Sequence, residues 1–185
     1  MPKPYLQGAL DGLCGLYALI NASRLADPAL MDDQEECQRV FHLALRWLSR
    51  KHSKNAFHAI LDTGTVFNTL RQLHRRVFQD KWPEITLHQP FVRSMPLENA
   101  RGGTREFWSR MRELAEPNQG QGLFIGIGGI IDHWSVVLKI TNTRIFLFDS
   151  GGYNDLPLNR CGPYEENGVE YVIGPGYVLL LKKDT

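Results

Sequence analysis

The amino-acid sequence predicts an α+β fold in which N-terminal helices pack on a C-terminal antiparallel sheet. Up to about residue 115, apolar residues recur every three or four positions, which is typical of amphipathic helices. From Gly122 onward, short β-branched and aromatic runs are bounded by Gly, Pro or Asn, which is typical of strands. Helices that precede strands, rather than alternate with them, favour the α+β class. The 185 residues, 43% of them apolar, predict one domain over 1–185.

Apolar spacing and capping signals predict four helices. Asp11-Gly12 is a turn and capping signal, and Asp27-Pro28 stops the first apolar run. Basic residues at the end of the second run suit the C-terminal end of a helix. The predicted helices run from Cys14 to Asp27, from Asp33 to His52, from about Thr63 to Gln79 and from Thr104 to Ala115.

The C-terminal part of the chain predicts the strands of the sheet. The predicted extended segments are 85–88, 123–127, 134–138, 144–148, 170–173 and 177–181. Thr141-Asn142-Thr143 is a tight connection, so the strands on either side of it are expected to pair antiparallel. Residues 150–168 are rich in Gly, Asn and Pro and are predicted to form a long loop.

Composition argues against several classes of partner and cofactor. The net charge is +1, from 21 basic and 20 acidic residues, so it gives no case for binding nucleic acid or an anionic membrane. The basic run 71–76 is interpreted as a solvated helix face. Three cysteines without CxxC spacing predict neither a disulfide framework nor a zinc cluster, and no glycine loop has phosphate-binding spacing. We therefore expect no metal and no organic cofactor.

The sequence gives no signal for membrane insertion. The N-terminus lacks the apolar region of a secretory signal peptide, and no apolar run approaches the roughly 20 residues of a membrane span. We expect a cytoplasmic protein, or one exported by a route that needs no signal peptide.

Cys14 is the candidate nucleophile. It begins the first apolar run, where helix N–H groups and the helix dipole favour a thiolate, and Gly12 and Gly15 leave room for a substrate. The alternative is a buried structural cysteine. Cys37 lies on the apolar stripe of the second helix and is interpreted as structural, and Cys161 as an incidental thiol in the loop.

His133 and Asp149 are the candidate partners of this cysteine. His133 begins an apolar strand after a glycine-rich turn at 126–132, whereas four of the other histidines lie in or beside helices among charged residues and are interpreted as solvated. Asp149 ends an otherwise apolar strand, and a carboxylate there needs a partner. In a hairpin that turns at 141–143, facing residue numbers sum to about 284. His133 and Asp149 come within two of that sum, so we predict that they are neighbours joined by a hydrogen bond.

These segments resemble the papain-like cysteine peptidases. The motifs that carry the resemblance are Gln7, Cys14-Gly15-Leu16-Tyr17-Ala18-Leu19, His133-Trp134 and Phe148-Asp149-Ser150. The family has a glutamine shortly before a Cys-Gly helix, followed by a histidine and an Asp or Asn on an antiparallel sheet. The separations, 119 residues from Cys14 to His133 and 16 from His133 to Asp149, are similar to those of small bacterial effector proteases of the YopT type. Gln7 is one residue farther from the cysteine than in the plant enzymes.

The resemblance implies a role for each residue. Cys14 would be the nucleophile, His133 the general base and acid, and Asp149 the group that orients the histidine. Gln7 would be an oxyanion donor together with the backbone N–H of Cys14.

The predicted function is that of a thiol peptidase or isopeptidase that acts on a peptide or protein. The pair His133-Trp134 and Phe148-Asp149-Ser150 also resembles proteases of ubiquitin-like proteins, so a ubiquitin-like tail is among the candidate substrates, although those enzymes carry the cysteine last. A cysteine-dependent acyltransferase, amidase or deamidase is the first alternative, since it uses the same acyl-thioester chemistry. A catalytically silent binding module is the second alternative, and the intact triad argues against it.

Overall fold

The computed structural model describes residues 3–7, 12–91, 100–116, 120–166 and 168–184. It combines N-terminal helices with a C-terminal antiparallel sheet, as predicted. The α-helices in these ranges are α1 (Cys14–Ala26), α2 (Gln34–Lys51), α3 (Lys54–Thr63), α4 (Phe67–Leu73), α5 (Gln79–Lys81) and α6 (Ala100–Leu114). The strands are β1 (Ile85–His88), β2 (Gln121–Gly129), β3 (His133–Ile140), β4 (Arg144–Leu147), β5 (Asp155–Pro157), β6 (Cys161–Gly162), β7 (Tyr171–Val172) and β8 (Val178–Lys183).

Helix α1 is the central helix and is buried along most of its length. Its N-cap residue is Leu13, which makes no side-chain capping bond; the predicted cap, Asp11, lies outside the described residues. At the other end, Asp27 leaves helical geometry and its Oδ2 binds the Lys183 ammonium of β8 at 2.9 Å. Helix α2 begins as predicted after Asp33, whose carboxylate accepts a hydrogen bond from the Glu36 N–H.

The helix predicted over about 63–79 is found as a continuous helical segment over 67–81, and a separate helix that the sequence analysis did not predict precedes it. Helix α3 begins after Ser53, whose hydroxyl accepts the Ala56 N–H, and ends at Gly64, which has a φ of 90°. Helix α4 starts only at Phe67 and widens into a π-helical turn over His74–Phe78. Because Gly64 adopts a left-handed conformation, a helix could not pass through this point without strain.

The six main strands form an antiparallel sheet in the order β1-β8-β2-β3-β4-β5. Strand β7 pairs with the end of β2 and runs parallel to β6. The predicted loop over 150–168 therefore needs correction, because it contains β5, β6 and a 3-10 turn, Leu158–Arg160, between them. The predicted turn at 126–132 is also too long, since β2 continues to Gly129.

The β3–β4 hairpin agrees with the sequence prediction. The Thr141 N–H donates to the Arg144 carbonyl at 2.9 Å, and Ile140 faces Ile145. A bulge shifts the register between Val137 and Lys139. Strand β4 ends at Leu147, so Asp149 follows the strand instead of ending it.

The sheet carries apolar clusters on both faces. Phe124 and Val136 belong to the cluster that includes the buried side chains of α1, α2 and α4. Their neighbours Ile125 and Val137 belong to the other cluster, with Phe107 and further side chains of α6. This alternation follows the two-residue period of a strand. Helices thus cover both faces of the sheet, whereas the sequence predicted helices packed on the sheet without this division.

Candidate active site

The imidazole of His133 and the carboxylate of Asp149 form a buried pair. Strand β3 begins at His133 and β4 has just ended before Asp149, so the antiparallel hairpin places both residues at one end of the sheet. His133 Nε2 lies 2.7 Å from Asp149 Oδ1, and the residues are 9% and 3% exposed. The predicted hydrogen bond is confirmed.

The loop after β4 fixes the orientation of Asp149. Asp149 Oδ2 accepts hydrogen bonds from the backbone N–H groups of Gly151, at 2.7 Å, and Tyr153, at 3.1 Å. A Cβ at Gly151 would lie 3.1 Å from the Cε1 of His133 and 3.3 Å from Asp149 Oδ2, so the close approach favours glycine. Sequence reasoning missed this role, although Asp-Ser-Gly-Gly is a signal for a turn held by an Asp side chain.

The pair holds both groups in their charged forms. Burial lowers the pKa of His133, but hydrogen bonds with Asp149 and with Cys14 outweigh it and raise the pKa to about 9. Burial raises the pKa of Asp149, but the hydrogen bond from His133 and the Tyr153 N–H outweigh it and hold the pKa below its usual range. Near pH 7, His133 is therefore an imidazolium and Asp149 a carboxylate.

The Cys14 thiol is the third member of the cluster. Cys14 is the first residue of α1 and is 7% exposed. Its interaction with the imidazole contributes to the raised pKa of His133, and its Sγ lies 4.0 Å from the Gly12 carbonyl oxygen. Because Nε2 of His133 binds Asp149, Nδ1 is the ring nitrogen that remains for the thiol. The structure thus brings together three of the four predicted site residues through their side chains.

Two glycines and Trp134 set the position of the first turn of α1. A Cβ at Gly12 would lie 2.7 Å from the Gly64 nitrogen, and a Cβ at Gly15 would lie 3.1 Å from Cδ1 of Trp134. Trp134 stacks on Phe124 with ring centroids 5.1 Å apart. Trp134 is partly buried and packs against the apolar cluster that contains α1, and close packing of its indole fixes where α1 begins relative to β3.

Gln7 approaches the site through its backbone. Its N–H donates to the carbonyl of Ser150 at 2.9 Å, so residues 3–7 run past the loop that carries Asp149. Two buried polar residues of α1 hold this segment. Asn21 binds both the N–H and the carbonyl of Tyr5, at 3.0 and 3.2 Å. Arg24 Nη1 donates to the Lys3 carbonyl at 3.0 Å, and its guanidinium lies 4.1 Å from the Tyr5 ring centroid.

Asn21 and Arg24 are residues that sequence reasoning missed. The signal was present, because both are strongly polar and stand within the apolar run of the first predicted helix. Buried polar side chains need partners, and here the partners are backbone groups of the segment that carries Gln7.

The other two cysteines are buried. Cys37 packs in the core, and its thiol contacts the Leu30 carbonyl at 3.6 Å, in agreement with a structural role. Cys161 needs correction, because it is a buried residue of β6 and not an incidental loop thiol. Its thiol lies 3.2 Å from the Pro157 carbonyl, and burial raises its pKa to about 12. Neither environment favours a thiolate.

One of the histidines interpreted as solvated is buried. His74 is 2% exposed, whereas His42 and His58 are exposed and His52 is half-buried. Burial lowers the pKa of His74 to about 4, so its ring is neutral near pH 7. His74 has no part in the triad.

Several exposed apolar side chains lie next to residues of the site, in space or along the chain. Five large ones are exposed among the described residues: Leu6, Val66, Ile130, Tyr153 and Tyr177. The Tyr153 ring lies 5.3 Å from the His133 ring, and the Tyr177 ring lies 6.2 Å from that of Trp134. Leu6 precedes Gln7, and Ile130 lies in the turn that leads to His133. Val66 follows Thr65, whose carbonyl accepts the Trp134 indole N–H. We call these five residues the apolar rim.

Two further features bear on cofactors and membranes. Within the described ranges, no three His, Cys, Asp or Glu side chains are arranged to hold a metal ion. No helix of these ranges has the length and apolar character needed to cross a membrane.

No protein-family model, no curated protein and no solved structure matches the chain.

Proposed function

We propose that the chain is a papain-like cysteine peptidase or isopeptidase that cleaves an amide bond in a peptide or protein. The observation that carries the proposal is the buried His133–Asp149 pair, joined at 2.7 Å, with the Cys14 thiol against the same imidazole. A helix that begins at the cysteine and packs on an antiparallel sheet carrying the histidine supports the papain-like assignment. Chain order and spacing support it as well.

In the first half of the reaction, Cys14 attacks and the amine leaves. The Cys14 sulfur attacks as a thiolate, whose proton is already held at His133 Nδ1, and forms a bond to the carbonyl carbon. As the C–N bond breaks, His133 gives this proton to the nitrogen, so the amine leaves neutral and a thioester remains on Cys14. The pKa of about 9 keeps His133 protonated near pH 7 and therefore ready to act as this acid.

In the second half, water releases the acyl group. His133 accepts a proton from the water as its oxygen attacks the thioester carbon. The C–S bond then breaks, the Cys14 sulfur leaves as a thiolate beside the His133 imidazolium, which keeps the proton taken from water, and a carboxylic acid product leaves. Asp149 keeps the imidazole in one orientation through both halves, since its two oxygens are held by His133, Gly151 and Tyr153.

The oxyanion of the tetrahedral intermediates needs hydrogen-bond donors. The first N–H groups of a helix have no partner within that helix, and Cys14 is the first residue of α1. Gln7 is the proposed side-chain donor, since its backbone is fixed beside Ser150. Donors that are held in place before the reaction stabilise the developing charge without reorganisation.

The apolar rim supports a peptide or protein substrate. Exposed apolar side chains next to a site favour contact with another polypeptide. A small polar amide would leave Tyr153, Tyr177 and Ile130 in water. The proposed substrate therefore carries apolar residues on one or both sides of the scissile bond.

The decisive experiment is labelling and product analysis with Cys14 variants. Wild type, Cys14→Ala and the matched control Cys161→Ala would be treated with peptide-based and ubiquitin-like-tail thiol probes, and then with candidate proteins. We expect Cys14→Ala to abolish labelling and the control to retain it. Mass spectrometry should show new termini. A one-dalton gain without cleavage would indicate a deamidase, an acyl or amine addition a transferase, and labelling that survives in Cys14→Ala would contradict the proposal.

Gln7→Ala tests the oxyanion donor separately. Turnover should fall by about 10²–10³-fold if the amide is a typical donor, whereas alkylation of Cys14 by iodoacetamide should keep its rate. Unchanged turnover would leave backbone groups as the donors.

A further inference from the structure

A polar cavity away from the triad contains the second buried histidine. The cavity has a volume of about 340 Å³ and lies between the helical segment 67–81 and strand β1. The helical residues that line it are Asn68, Arg71, Gln72, His74, Arg75 and Gln79. This volume lies within the range of roughly 300–1,000 Å³ found for small-molecule sites.

The cavity is positively charged. Arg71 and Arg75 are four residues apart, so they lie on one side of the helical segment. Among the described residues, neither guanidinium forms an ion pair, and no residue that lines the cavity is acidic. The Asp184 carboxylate binds the Thr86 hydroxyl on β1 at 3.1 Å but does not line the cavity. The lining therefore favours an anion.

His74 offers a polar atom that the protein leaves unused. It is 98% buried and stacks on Phe78, and its Nε2 has no hydrogen-bond partner among the described residues. A buried polar atom without a partner is uncommon and calls for an explanation. The π-helical turn starts at this residue, and such turns occur frequently at functional sites. Because Nε2 is shielded from the cavity, a ligand would supply the missing partner only after the ring of His74 turns towards it.

We propose that this cavity binds a small phosphorylated organic molecule. The phosphoryl group would lie between the guanidinium groups of Arg71 and Arg75, whose forked N–H donors match phosphate oxygens. A phosphate ion alone would fill only part of the space. The remaining volume, lined by side-chain amides and His74, suits a polar organic body. The proposal is independent of the proposed peptidase activity.

The first test uses inorganic phosphate, ribose 5-phosphate and uncharged ribose as probes in calorimetric titrations of the full chain. We expect saturable binding of both phosphates, tighter for ribose 5-phosphate, and none for ribose. The double variant Arg71→Gln/Arg75→Gln should weaken binding by about 10–100-fold. Arg105→Gln on α6, the matched control with an exposed arginine, should bind as wild type does.

The second test follows the histidines by nuclear magnetic resonance. Ribose 5-phosphate should shift the imidazole nitrogen signals of His74 and leave those of exposed His42 and His58 unchanged. His74→Leu, which fills the site with an apolar side chain, should weaken binding by about 3–10-fold. Absence of saturable phosphate binding, or equal binding by the double variant and wild type, would overturn the proposal. Equal affinity for inorganic phosphate and ribose 5-phosphate would refute the claim that the cavity also binds the organic part of the ligand.

Discussion

Two buried histidines of this chain titrate in opposite directions. His133 and His74 are 9% and 2% exposed, yet the pKa of His133 is raised to about 9 and that of His74 is lowered to about 4. Burial acts on both in the same direction. The difference is that His133 binds Asp149 and Cys14, whereas burial is the cause that acts on His74. Partners, more than burial, therefore decide which histidine carries a proton at neutral pH.

The largest effect should come from removing each histidine in turn. His133→Ala should lower turnover by about 10⁴–10⁶-fold, because the proton acceptor and donor are lost. His74→Leu should leave turnover within about threefold, because that ring does not contact the triad. Steady-state assays on a peptide substrate compare the two. Comparable losses of turnover in both variants would contradict a specific role for His133, because the loss would then follow the removal of any buried histidine.

Removing the carboxylate should make His133 resemble His74. Asp149→Asn should lower turnover by about 10²–10⁴-fold, less than His133→Ala, since Asp149 orients and does not transfer the proton. The pKa of His133 should also fall well below 9, because its strongest partner loses its charge. Nuclear magnetic resonance of the imidazole measures this directly. An unchanged pKa would assign the shift to Cys14 instead.

The two histidines should also give opposite slopes of stability against pH. The folded pKa of His74 lies below the ordinary 6.5, so its contribution is present above pH 6.5 and is lost as pH falls towards 4. The difference between the folded and the unfolded pKa of His74 corresponds to at most about 3 kcal/mol in the free energy of unfolding. In urea denaturation at pH 4.5–6.5, the free energy of unfolding of His74→Leu should depend less on pH than that of wild type. A slope that persists in the variant would assign it to carboxylates.

The loss of stability at alkaline pH should come from His133, whose pKa is displaced from 6.5 by as much as that of His74. Its folded pKa is raised, so its contribution is complete below pH 6.5 and is lost as pH rises through about 9. Stability should therefore be highest near pH 6.5, between the two windows. Denaturation of His133→Ala between pH 6.5 and 9.5 should show a flatter curve than wild type. Equal curves would mean that the unfolded chain also keeps this proton.

The His133–Asp149 pair could be predicted because it depends on local rules. The Thr141–Thr143 turn fixes the pairing of β3 and β4, so the proximity of His133 and Asp149 follows from counting along the chain. The bulge at Val137 shifts the register by one residue without separating the pair. The catalytic role of these residues and of Gln7 stays a prediction.

Other features depend on tertiary contacts that the sequence expresses weakly. Helix α3 was missed because its apolar residues Phe57, Ile60 and Leu61 are only half-buried, so its apolar stripe is short. His74 was predicted to be solvated because its neighbours along the chain are charged. It also stands on the stripe of Leu70, Leu73 and Val77 at helical spacing, and that pattern would have predicted burial.

The end of α1 holds both described ends of the chain. Arg24 binds the Lys3 carbonyl, and three residues later Asp27 binds the Lys183 ammonium. Lys3 and Lys183 therefore both contact the last turn of α1, so the two ends of the chain between them lie close together. A covalent ring joined through a short linker at this place would suit the native geometry. Closing a loop of about 180 residues could raise the free energy of unfolding by up to about 5 kcal/mol in the chain-entropy description.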